Sequence, residues 1–339
     1  MQTIFNIRIL IVIVTTILIA CSPLKEQEIY ISGPTMGTTY NVKFIPTDGV
    51  DEQKLKQQID QTLVGINQLM STYIKDSELS RFNQWSSIEP FPMSAQTIDV
   101  LKEAKRLGVM SAGLLDVTVG PLVNLWGFGP QSRPEKIPTK ELINTTRQQV
   151  GLDKLTIGAT WASKTQPDLY VDLSTIAKGY AVDQLAELLL TLNISNFLVE
   201  IGGEMRLAGI KPSGEPWKIA IEKPKTEQRS IQSIISVGDN AIATSGDYRN
   251  YYEQDGVRYS HLINPATGYP IIHNLVSVTV VHKSSMTADG LATALNVMGK
   301  EKALELAETY GIAVLLITKE KDNFTEYTSS KFEQFVIVH

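Results

Sequence analysis

The chain of 339 residues has a single cysteine, Cys21, and only four histidines. One cysteine can form no disulfide within the chain and cannot build a cysteine-rich zinc site. The histidines are scattered along the sequence, so a histidine-rich metal cage is not expected either. A metal bound by this chain would be held by oxygen atoms, and oxygen ligands favour Mg²⁺ or Ca²⁺ over zinc.

A basic excess is also missing from the sequence. Lys and Arg number 31 against 36 Asp and Glu, which gives a formal net charge of −5. Domains that bind nucleic acid normally carry a basic excess, so we expect no nucleic-acid partner. The sequence has no G-x-x-x-x-G-K-[ST] phosphate loop, no G-x-G-x-x-G after a strand and no G-x-S-x-G turn. The enzyme classes built on those motifs are therefore disfavoured.

The longest apolar run lies near the N-terminus, where the twelve residues from Ile9 to Ala20 follow Arg8. It is too short to span a bilayer comfortably as a helix, but it has the length of the apolar region of a signal peptide. The run ends in Leu18-Ile19-Ala20-Cys21, which resembles a bacterial lipobox. We therefore predict a lipoprotein signal peptide over residues 1–20, lipidation of Cys21, and a tether over 21–28. The alternative is an uncleaved anchor in which the cysteine is incidental.

Beyond the tether, the spacing of apolar residues predicts both helices and strands. Helical spacing marks residues 52–70, 95–111, 175–192, 287–298 and 300–310. Short β-prone runs lie at 197–201, 217–221, 233–237, 276–281 and 312–317, and residues 29–44 are β-prone around a Gly-rich interruption at 33–37. No fixed repeat and no low-complexity linker divides the chain. These features predict one interlocked α+β unit, with mixed or antiparallel sheets packed against helices.

Four parts of the sequence place small, polar and Gly residues within otherwise apolar surroundings. They are T-M-G-T-T at 35–39, the stretch 113–130 that begins G-L-L-D-V-T-V-G-P, V-D-L-S-T-I-A-K-G-Y-A-V-D at 171–183, and the group A-T-S-G-D-Y (243–248), H-L-I-N-P-A-T-G (261–268) and M-T-A-D-G-L-A-T-A (286–294). In this order and at these intervals, the motifs resemble those of the ApbE-type FAD:protein FMN transferases, from about Thr35 to Gly299. The resemblance implies an ApbE-like, T-fold-related unit over residues 29–339.

The resemblance also implies an activity. Enzymes of this family split FAD at its pyrophosphate, attach FMN through a phosphoester to a Thr or Ser of a target flavoprotein, release AMP and require Mg²⁺. Two other functions share the same binding residues. One is a Mg²⁺-dependent FAD pyrophosphatase, in which water takes the place of the acceptor hydroxyl. The other is a non-catalytic lipoprotein that only stores or delivers FAD.

Two oxygen-bearing residues are candidates for holding the metal. Asp289 and Thr293 are four residues apart on a predicted helix, so their side chains lie on one face. A carboxylate and a hydroxyl suit a hard cation that keeps substrate oxygens among its ligands. The resemblance makes both positions Mg²⁺ ligands and adds Thr175. From the residues alone, Asp289 could equally be an acid in the first turn that complements the helix dipole.

The resemblance places contacts to FAD at Met36, Tyr73, Leu114, Leu115, Asp116, Asp172, Lys178 and Ile263. Met and Tyr offer ring contacts, the aspartates accept hydrogen bonds, and Lys178 offers a charge to a phosphate. Each of these residues, taken singly, could instead have a purely structural role. The alternatives are a core Met and Tyr, two aspartates in turns and a solvated Lys.

His261 is the candidate base for the incoming hydroxyl and, with Asp289, the candidate catalytic residue, because an imidazole titrates near neutral pH. A structural histidine at a strand end is the other interpretation. The sequence departs from the family at Asn264, where many relatives have Asp, so no role that needs a charge is expected there. The turn around Glu200, Gly202, Gly203 and Glu204 is expected near the site.

The resemblance and the leader together imply partners and a location. Acceptors in this family are flavoprotein subunits of membrane redox complexes. A lipid anchor at Cys21 would hold the protein at the bacterial inner membrane, facing the periplasm. An Asp directly after the lipidated cysteine is often linked to inner-membrane retention. This sequence has Ser22 at that position, so sorting to the outer membrane stays open.

Overall fold

The computed structural model describes residues 27–129, 137–224, 231–246, 250–254, 256–321 and 323–335. The predicted signal peptide, Cys21 and most of the predicted tether lie outside these ranges. Within them, no helix has both the length and the apolar character needed to cross a membrane.

The described residues form eight α-helices, fifteen strands and two short 3₁₀ turns. The helices are α1 (Glu52–Met70), α2 (Glu78–Gln84), α3 (Ala95–Met110), α4 (Gly120–Leu125), α5 (Lys140–Arg147), α6 (Ala177–Thr191), α7 (Ser285–Met298) and α8 (Lys300–Tyr310). The strands are β1 (Ile29–Thr35), β2 (Thr38–Phe44), β3 (Phe91–Pro92), β4 (Leu155–Ile157), β5 (Trp161–Lys164), β6 (Phe197–Ile201), β7 (Glu204–Ala208), β8 (Ile219–Glu222), β9 (Ile231–Ile235), β10 (Ala241–Gly246), β11 (Tyr251–Gln254), β12 (Val257–Ser260), β13 (Leu275–His282), β14 (Ala313–Glu320) and β15 (Asn323–Thr328). The 3₁₀ turns are Leu152–Lys154 and Glu333–Phe335.

An eight-stranded sheet in the order β1-β2-β6-β7-β10-β13-β14-β15 forms the centre of the fold. Each neighbouring pair in it is antiparallel. Smaller antiparallel sheets are β3-β5-β4, β8-β9 and β11-β12. The structure is therefore the α+β arrangement that the sequence predicts.

The central sheet is buried on both faces, which explains its apolar strands. In β14, Val314 and Leu316 join the larger core beneath the helices, whereas Ala313, Leu315 and Ile317 join a second core on the opposite face. A strand covered on both faces has a continuous apolar run instead of an alternating one. Helices α6 and α7 cover one face by packing on β6, β7, β10 and β13. Residues of β8 and β9 belong to the second core on the other face.

Most of the predicted helices are confirmed, with small shifts at their ends. Helices 52–70 and 300–310 have the predicted bounds, and those predicted at 95–111 and 175–192 are each slightly shorter. The helix predicted at 287–298 begins two residues earlier, at Ser285, because the Ser284 hydroxyl accepts the Thr287 N–H (3.2 Å) and caps it. Asp289 is therefore in the second turn, and the interpretation of Asp289 as a first-turn acid was wrong.

The strand predictions differ more at their ends. The run 197–201 is confirmed, but the strands predicted at 217–221 and 233–237 lie at Ile219–Glu222 and Ile231–Ile235. The predicted interruption at 33–37 is shorter than expected, because Gly33, Pro34 and Thr35 pair within β1. Only Met36 and Gly37 form the turn that joins β1 to β2.

Candidate functional site

A cavity of about 780 Å³ opens beside the β1–β2 turn and next to the start of α6. The lining residues include three of the predicted flavin contacts, Met36, Tyr73 and Asp172, and extend to Ala177, the first residue of α6. The volume is within the range of about 300–1,000 Å³ that is typical of small-molecule sites. Residues far apart in the sequence are thus brought to one cavity.

The turn at the edge of this cavity has an unusual backbone. Met36 has φ +48° and Gly37 has φ +73°, and Thr35 pairs directly with Thr38. Two-residue hairpin turns of this kind require left-handed backbone at both central positions, which glycine adopts freely and methionine does not. A non-glycine residue in this region points to a functional constraint, and here the residue that bears it lines the cavity.

Tyr73 and Asp172 complete the predicted part of the lining. The Tyr73 ring is 74% exposed and offers a free aromatic face. Asp172 accepts the Ser174 N–H through Oδ1 at 2.8 Å, and its own N–H donates to the Val117 carbonyl at 2.7 Å. That backbone bond ties the third sequence motif to the second.

Lys178 lies between two buried carboxylates next to the cavity. Its Nζ is 2.7 Å from Glu204 Oε1 and 3.7 Å from Asp289 Oδ1, and Asp289 Oδ2 accepts the Gly179 N–H at 3.0 Å. When both carboxyl groups are ionised, two carboxylates and one ammonium leave a net negative charge in a region of low dielectric. Such a cluster attracts a cation.

Burial has the largest effect on the pKa values in this cluster, and the neighbouring charges have the next largest. Burial, together with the neighbouring Asp289, raises the pKa of Glu204 to about 8, although Lys178 opposes the shift. Burial also raises the pKa of Asp289, again against Lys178. Burial alone would lower the pKa of Lys178, but the two carboxylates outweigh it, and the pKa is raised. The lysine is therefore charged at neutral pH.

The oxygen atoms around the cluster fit a hard cation. The Thr175 hydroxyl oxygen and Glu204 Oε2 are buried and have no hydrogen-bond partner among the described residues. Asp289 is 5% exposed, and Thr293 follows it by one turn on α7. The described residues contain no group of three or more His, Cys, Asp or Glu that would hold a metal without other donors. Any cation here would rely on hydroxyl, backbone and substrate oxygens, and Mg²⁺ accepts such a set.

His261 lies directly after β12, and its orientation is set by a backbone carbonyl. Its Nδ1 is 3.0 Å from the Asn250 oxygen, which also accepts the His261 N–H at 3.2 Å. A carbonyl only accepts, so Nδ1 carries the proton and Nε2 is the basic atom of the neutral ring. Burial lowers the pKa of His261. The geometry thus presents a neutral imidazole whose Nε2 is the atom that can accept a proton.

An aromatic stack supports the hairpin that carries His261. Phe128 makes an edge contact with His261, with ring centroids 6.3 Å apart, and lies 5.3 Å from Tyr252. Tyr252 stacks on Tyr259 at 5.2 Å, and Tyr259 stacks on the buried Trp126 at 5.4 Å. These contacts connect the motif at 113–130 to the segment that begins at His261.

The other predicted flavin contacts are not among the residues that line the cavity. Leu115 is buried in the main core, and Leu114 packs on a small cluster with Leu262. Asp116 accepts the Thr118 N–H at 2.8 Å and the Thr118 hydroxyl at 2.6 Å. Ile263 is buried with Trp126 and others. Lys178 contacts carboxylates, as described above. The predictions for these residues rest on the family resemblance.

A sequence model of the ApbE family matches residues 36–316, which is most of the chain. This chain belongs to the ApbE family. The named relatives include the FAD:protein FMN transferases of Vibrio cholerae (56% identity over 96% of this chain and 98% of the relative) and Haemophilus influenzae (49% identity, 94% of each).

Solved structures of ApbE proteins share the fold. The flavin transferase ApbE from Vibrio cholerae superposes with a TM-score of 0.86 at 57% identity, covering 91% of this chain and 99% of that structure. The apo form of the flavinyl transferase ApbE from Pseudomonas stutzeri superposes with a TM-score of 0.85 at 40% identity, covering 91% and 97%.

Glu204 is a site residue of this ApbE protein to which sequence reasoning assigned no role. It was expected only as part of a nearby turn, whereas the structure pairs it with Lys178. Gly202 and Gly203 do have positive φ values, +60° and +108°, as glycines at a tight turn require. The sequence signal for this residue is a Glu directly after a Gly-Gly turn, and its burial is seen only in the structure.

Proposed function

We propose that this protein is a FAD:protein FMN transferase that moves FMN from FAD to a Thr or Ser hydroxyl of a target flavoprotein. The observation that carries the proposal is the adjacency of two features at the start of α6. One is the cavity lined by Met36, Tyr73 and Asp172. The other is the buried cluster of Lys178, Glu204 and Asp289 directly after Ala177. A flavin nucleotide in the cavity would reach that cluster with its phosphates.

The reaction exchanges the phosphoanhydride bond of FAD for a phosphoester bond to the acceptor. The acceptor hydroxyl oxygen forms a bond to the FMN phosphorus, the bond from that phosphorus to the bridging oxygen breaks, and AMP leaves with the bridging oxygen. The hydroxyl proton goes to Nε2 of His261, which is unprotonated because Nδ1 donates to the Asn250 carbonyl. Burial lowers the pKa of His261, so the ring is neutral and ready to accept a proton at pH 7.

Charge on the pyrophosphate must be neutralised as the bond breaks. Asp289, Thr175 and Thr293 would hold Mg²⁺, which supplies that neutralisation when bound. Lys178 adds a second positive charge beside the same carboxylate. Glu204 holds the lysine at 2.7 Å and keeps it aligned.

The N-terminal predictions complete the proposal. Residues 1–20 direct export, Cys21 is lipidated, and residues 29–339 form the transferase unit. The anchor keeps this unit at the periplasmic face of the inner membrane, where flavoprotein subunits of membrane redox complexes are its acceptors.

Replacement of the two α7 residues tests the metal assignment. Asp289→Asn should abolish Mg²⁺-dependent transfer, whereas Thr293→Ala should leave partial activity that rises with Mg²⁺ concentration. The difference arises because a carboxylate attracts a divalent cation and a neutral hydroxyl does not. Asn retains an acceptor for the Gly179 N–H, which favours a folded variant.

The assay mixes protein, FAD, Mg²⁺ and a candidate periplasmic flavoprotein, then follows the FMN mass increment and AMP. Thr287→Ala is the control on the same helix, because its hydroxyl donates to Glu103 (2.6 Å) and not to the cluster. Full activity in folded Asp289→Asn would refute the metal assignment. Free FMN without modified acceptor would instead favour a pyrophosphatase.

A further inference from the structure

Helices α6 and α7 approach each other closely at one point. A Cβ atom added to Gly179 would lie 2.3 Å from the Ser285 carbonyl oxygen and 2.8 Å from the Asp289 Cβ. No side chain larger than hydrogen fits there. At the same position, the Gly179 N–H donates to Asp289. The two helix backbones are therefore in contact where the cation cluster is built.

One turn further along α6, Asp183 holds the start of α7. Its Oδ2 accepts the Ser284 hydroxyl (2.7 Å) and the Met286 N–H (3.0 Å), and its Oδ1 accepts the Ser285 N–H (2.9 Å). Arg206 donates to Oδ1 at 3.3 Å. One carboxylate thus binds three consecutive residues at the beginning of α7, and both of its oxygens are used.

The candidate metal ligands lie on α7 or directly before α6. Thr175 lies two residues before α6, whereas Asp289 and Thr293 follow Ser285 at intervals of four on α7. Residues four apart share a helix face, so Ser285, Asp289 and Thr293 form one row towards α6. Any slide or rotation of α7 against α6 would move Asp289 and Thr293 relative to Thr175.

We propose that Asp183 is a positioning residue for the metal site: it fixes the register of α7 against α6 and thereby the spacing of Thr175, Asp289 and Thr293. The inference rests on the proposed function, which places the cation at these three residues. Gly179 permits the close approach, and Asp183 determines where along the helix it occurs. Groups that orient metal ligands typically change metal affinity by about 10–100-fold when they are replaced.

The chain contains a matched control for Asp183. Glu78 on α2 holds the start of α3 in the same way, accepting the Ser94 N–H at 2.9 Å and the Ser94 hydroxyl at 2.8 Å. Helix α3 carries none of the candidate metal ligands. Asp183→Asn and Glu78→Gln therefore remove the same kind of charged contact between helices, and only the first lies beside the cluster.

The test is a Mn²⁺ titration of the full chain, followed by the EPR signal of the free ion, with thermal unfolding measured in parallel. The parent protein should bind Mn²⁺, and Asp289→Asn should lose that binding. Asp183→Asn should weaken it by at least about 10-fold, whereas Glu78→Gln should stay close to the parent even if it unfolds at a lower temperature. FAD affinity in EDTA should be unchanged in Asp183→Asn.

The other possible outcomes contradict either the metal assignment or the positioning role of Asp183. If Asp289→Asn binds Mn²⁺ as the parent does, the proposed metal assignment fails. If Asp289→Asn loses binding but Asp183→Asn keeps it, only the positioning role fails. Equal losses in Asp183→Asn and Glu78→Gln, or an equal loss of FAD affinity in EDTA, would also overturn that role. If Asp183→Asn does not fold, Ser284→Ala replaces it, because it removes one bond to Asp183, and it should weaken Mn²⁺ binding in the same direction.

Discussion

Met36 combines a strained backbone with a side chain at the cavity. A left-handed conformation costs a non-glycine residue roughly 1–2 kcal/mol, and a sequence selected only for stability would place Gly or Asn there. Met36 is also partly buried against the main core. The strained backbone and the position at the cavity therefore predict that the Met36 side chain contacts the flavin.

Met36→Asn should separate these two effects. Asn tolerates the left-handed region, so relief of about 1 kcal/mol should offset much of the lost packing, whereas FAD affinity should fall. Met110→Asn is the control, because Met110 is also partly buried on the same core but has no positive φ. It should lose more stability and keep FAD affinity, as measured by urea unfolding and flavin titration. Unchanged FAD binding in Met36→Asn would contradict the assignment.

His261 predicts a specific pH dependence. Burial lowers its pKa below the usual value near 6.5, so the neutral base is present throughout the range above that pH. His261 should contribute no pH dependence to kcat/KM from pH 8 to 6.5, and it should lower kcat/KM at pH values below its own pKa, where the ring takes up one proton. His261→Ala should bind FAD and transfer FMN at least about 100-fold more slowly, without this acidic limb.

His282 is a suitable control for that profile. Burial lowers its pKa as well, but it lies at the end of β13 and its ring bonds to the Ser284 backbone. The acidic limb should persist in His282→Ala. If His261→Ala transfers FMN at the parental rate, His261 is a structural residue.

At the scale of elements, strand β7 and helix α6 meet through the buried contact between Glu204 and Lys178. Glu204 is 4% exposed, and Lys178 is its direct partner. Burial raises the pKa of Glu204 to about 8, compared with about 4.3 in an unfolded chain. The folded protein thus holds a proton that the unfolded chain releases between these values. Its free energy of unfolding should therefore fall as pH rises from about 4.3 to about 8.

Glu204→Gln should reduce this slope, because Gln cannot titrate. Asp289, whose pKa is also raised, should leave a remaining slope of the same sign. The measurement is urea unfolding in EDTA at several values between pH 5 and pH 8. An unchanged slope in Glu204→Gln would show that its carboxylate is already ionised at pH 5.

On the scale of the whole molecule, the central sheet separates two cores, and the site lies on the helical side. The predicted anchor at Cys21 lies outside the described residues, ahead of edge strand β1. Among the described residues, the cavity is lined from Met36 onwards, and the buried cluster consists of Lys178, Glu204 and Asp289. The anchor and the transferase unit should therefore be separable.

Cys21→Ala should leave the protein unlipidated, and a fragment of residues 22–339 should fold, bind FAD and transfer FMN in solution. Mass spectrometry of the N-terminus and membrane fractionation test the first outcome, and flavin titration tests the second. A fragment that cannot bind FAD would refute the tether prediction. A membrane-bound Cys21→Ala protein would favour an uncleaved anchor.

The sequence alone determined the regular elements with a clear apolar period. Helix α1 has the predicted bounds, and its predicted core positions Leu55, Ile59, Leu63 and Ile66 are buried. Amphipathic periodicity is a local property, so it can be interpreted without knowing the fold. The ends of strands such as β8 and β9 were predicted less accurately, because strand bounds depend on the partner strand. The motifs also gave the family, which the comparisons confirm.

Only the tertiary structure decided which side chains meet. Gly179 and Asp289 are 110 residues apart, and Asp183 is joined to Ser285 across 102 residues. The tertiary structure also brings Glu204 to Lys178, and the Asn250 carbonyl determines which nitrogen of His261 is basic. These contacts arise from strand order and helix packing, which no local pattern encodes. A charged residue in a sequence has no partner until the chain is folded, and its pKa is set by that partner and by burial.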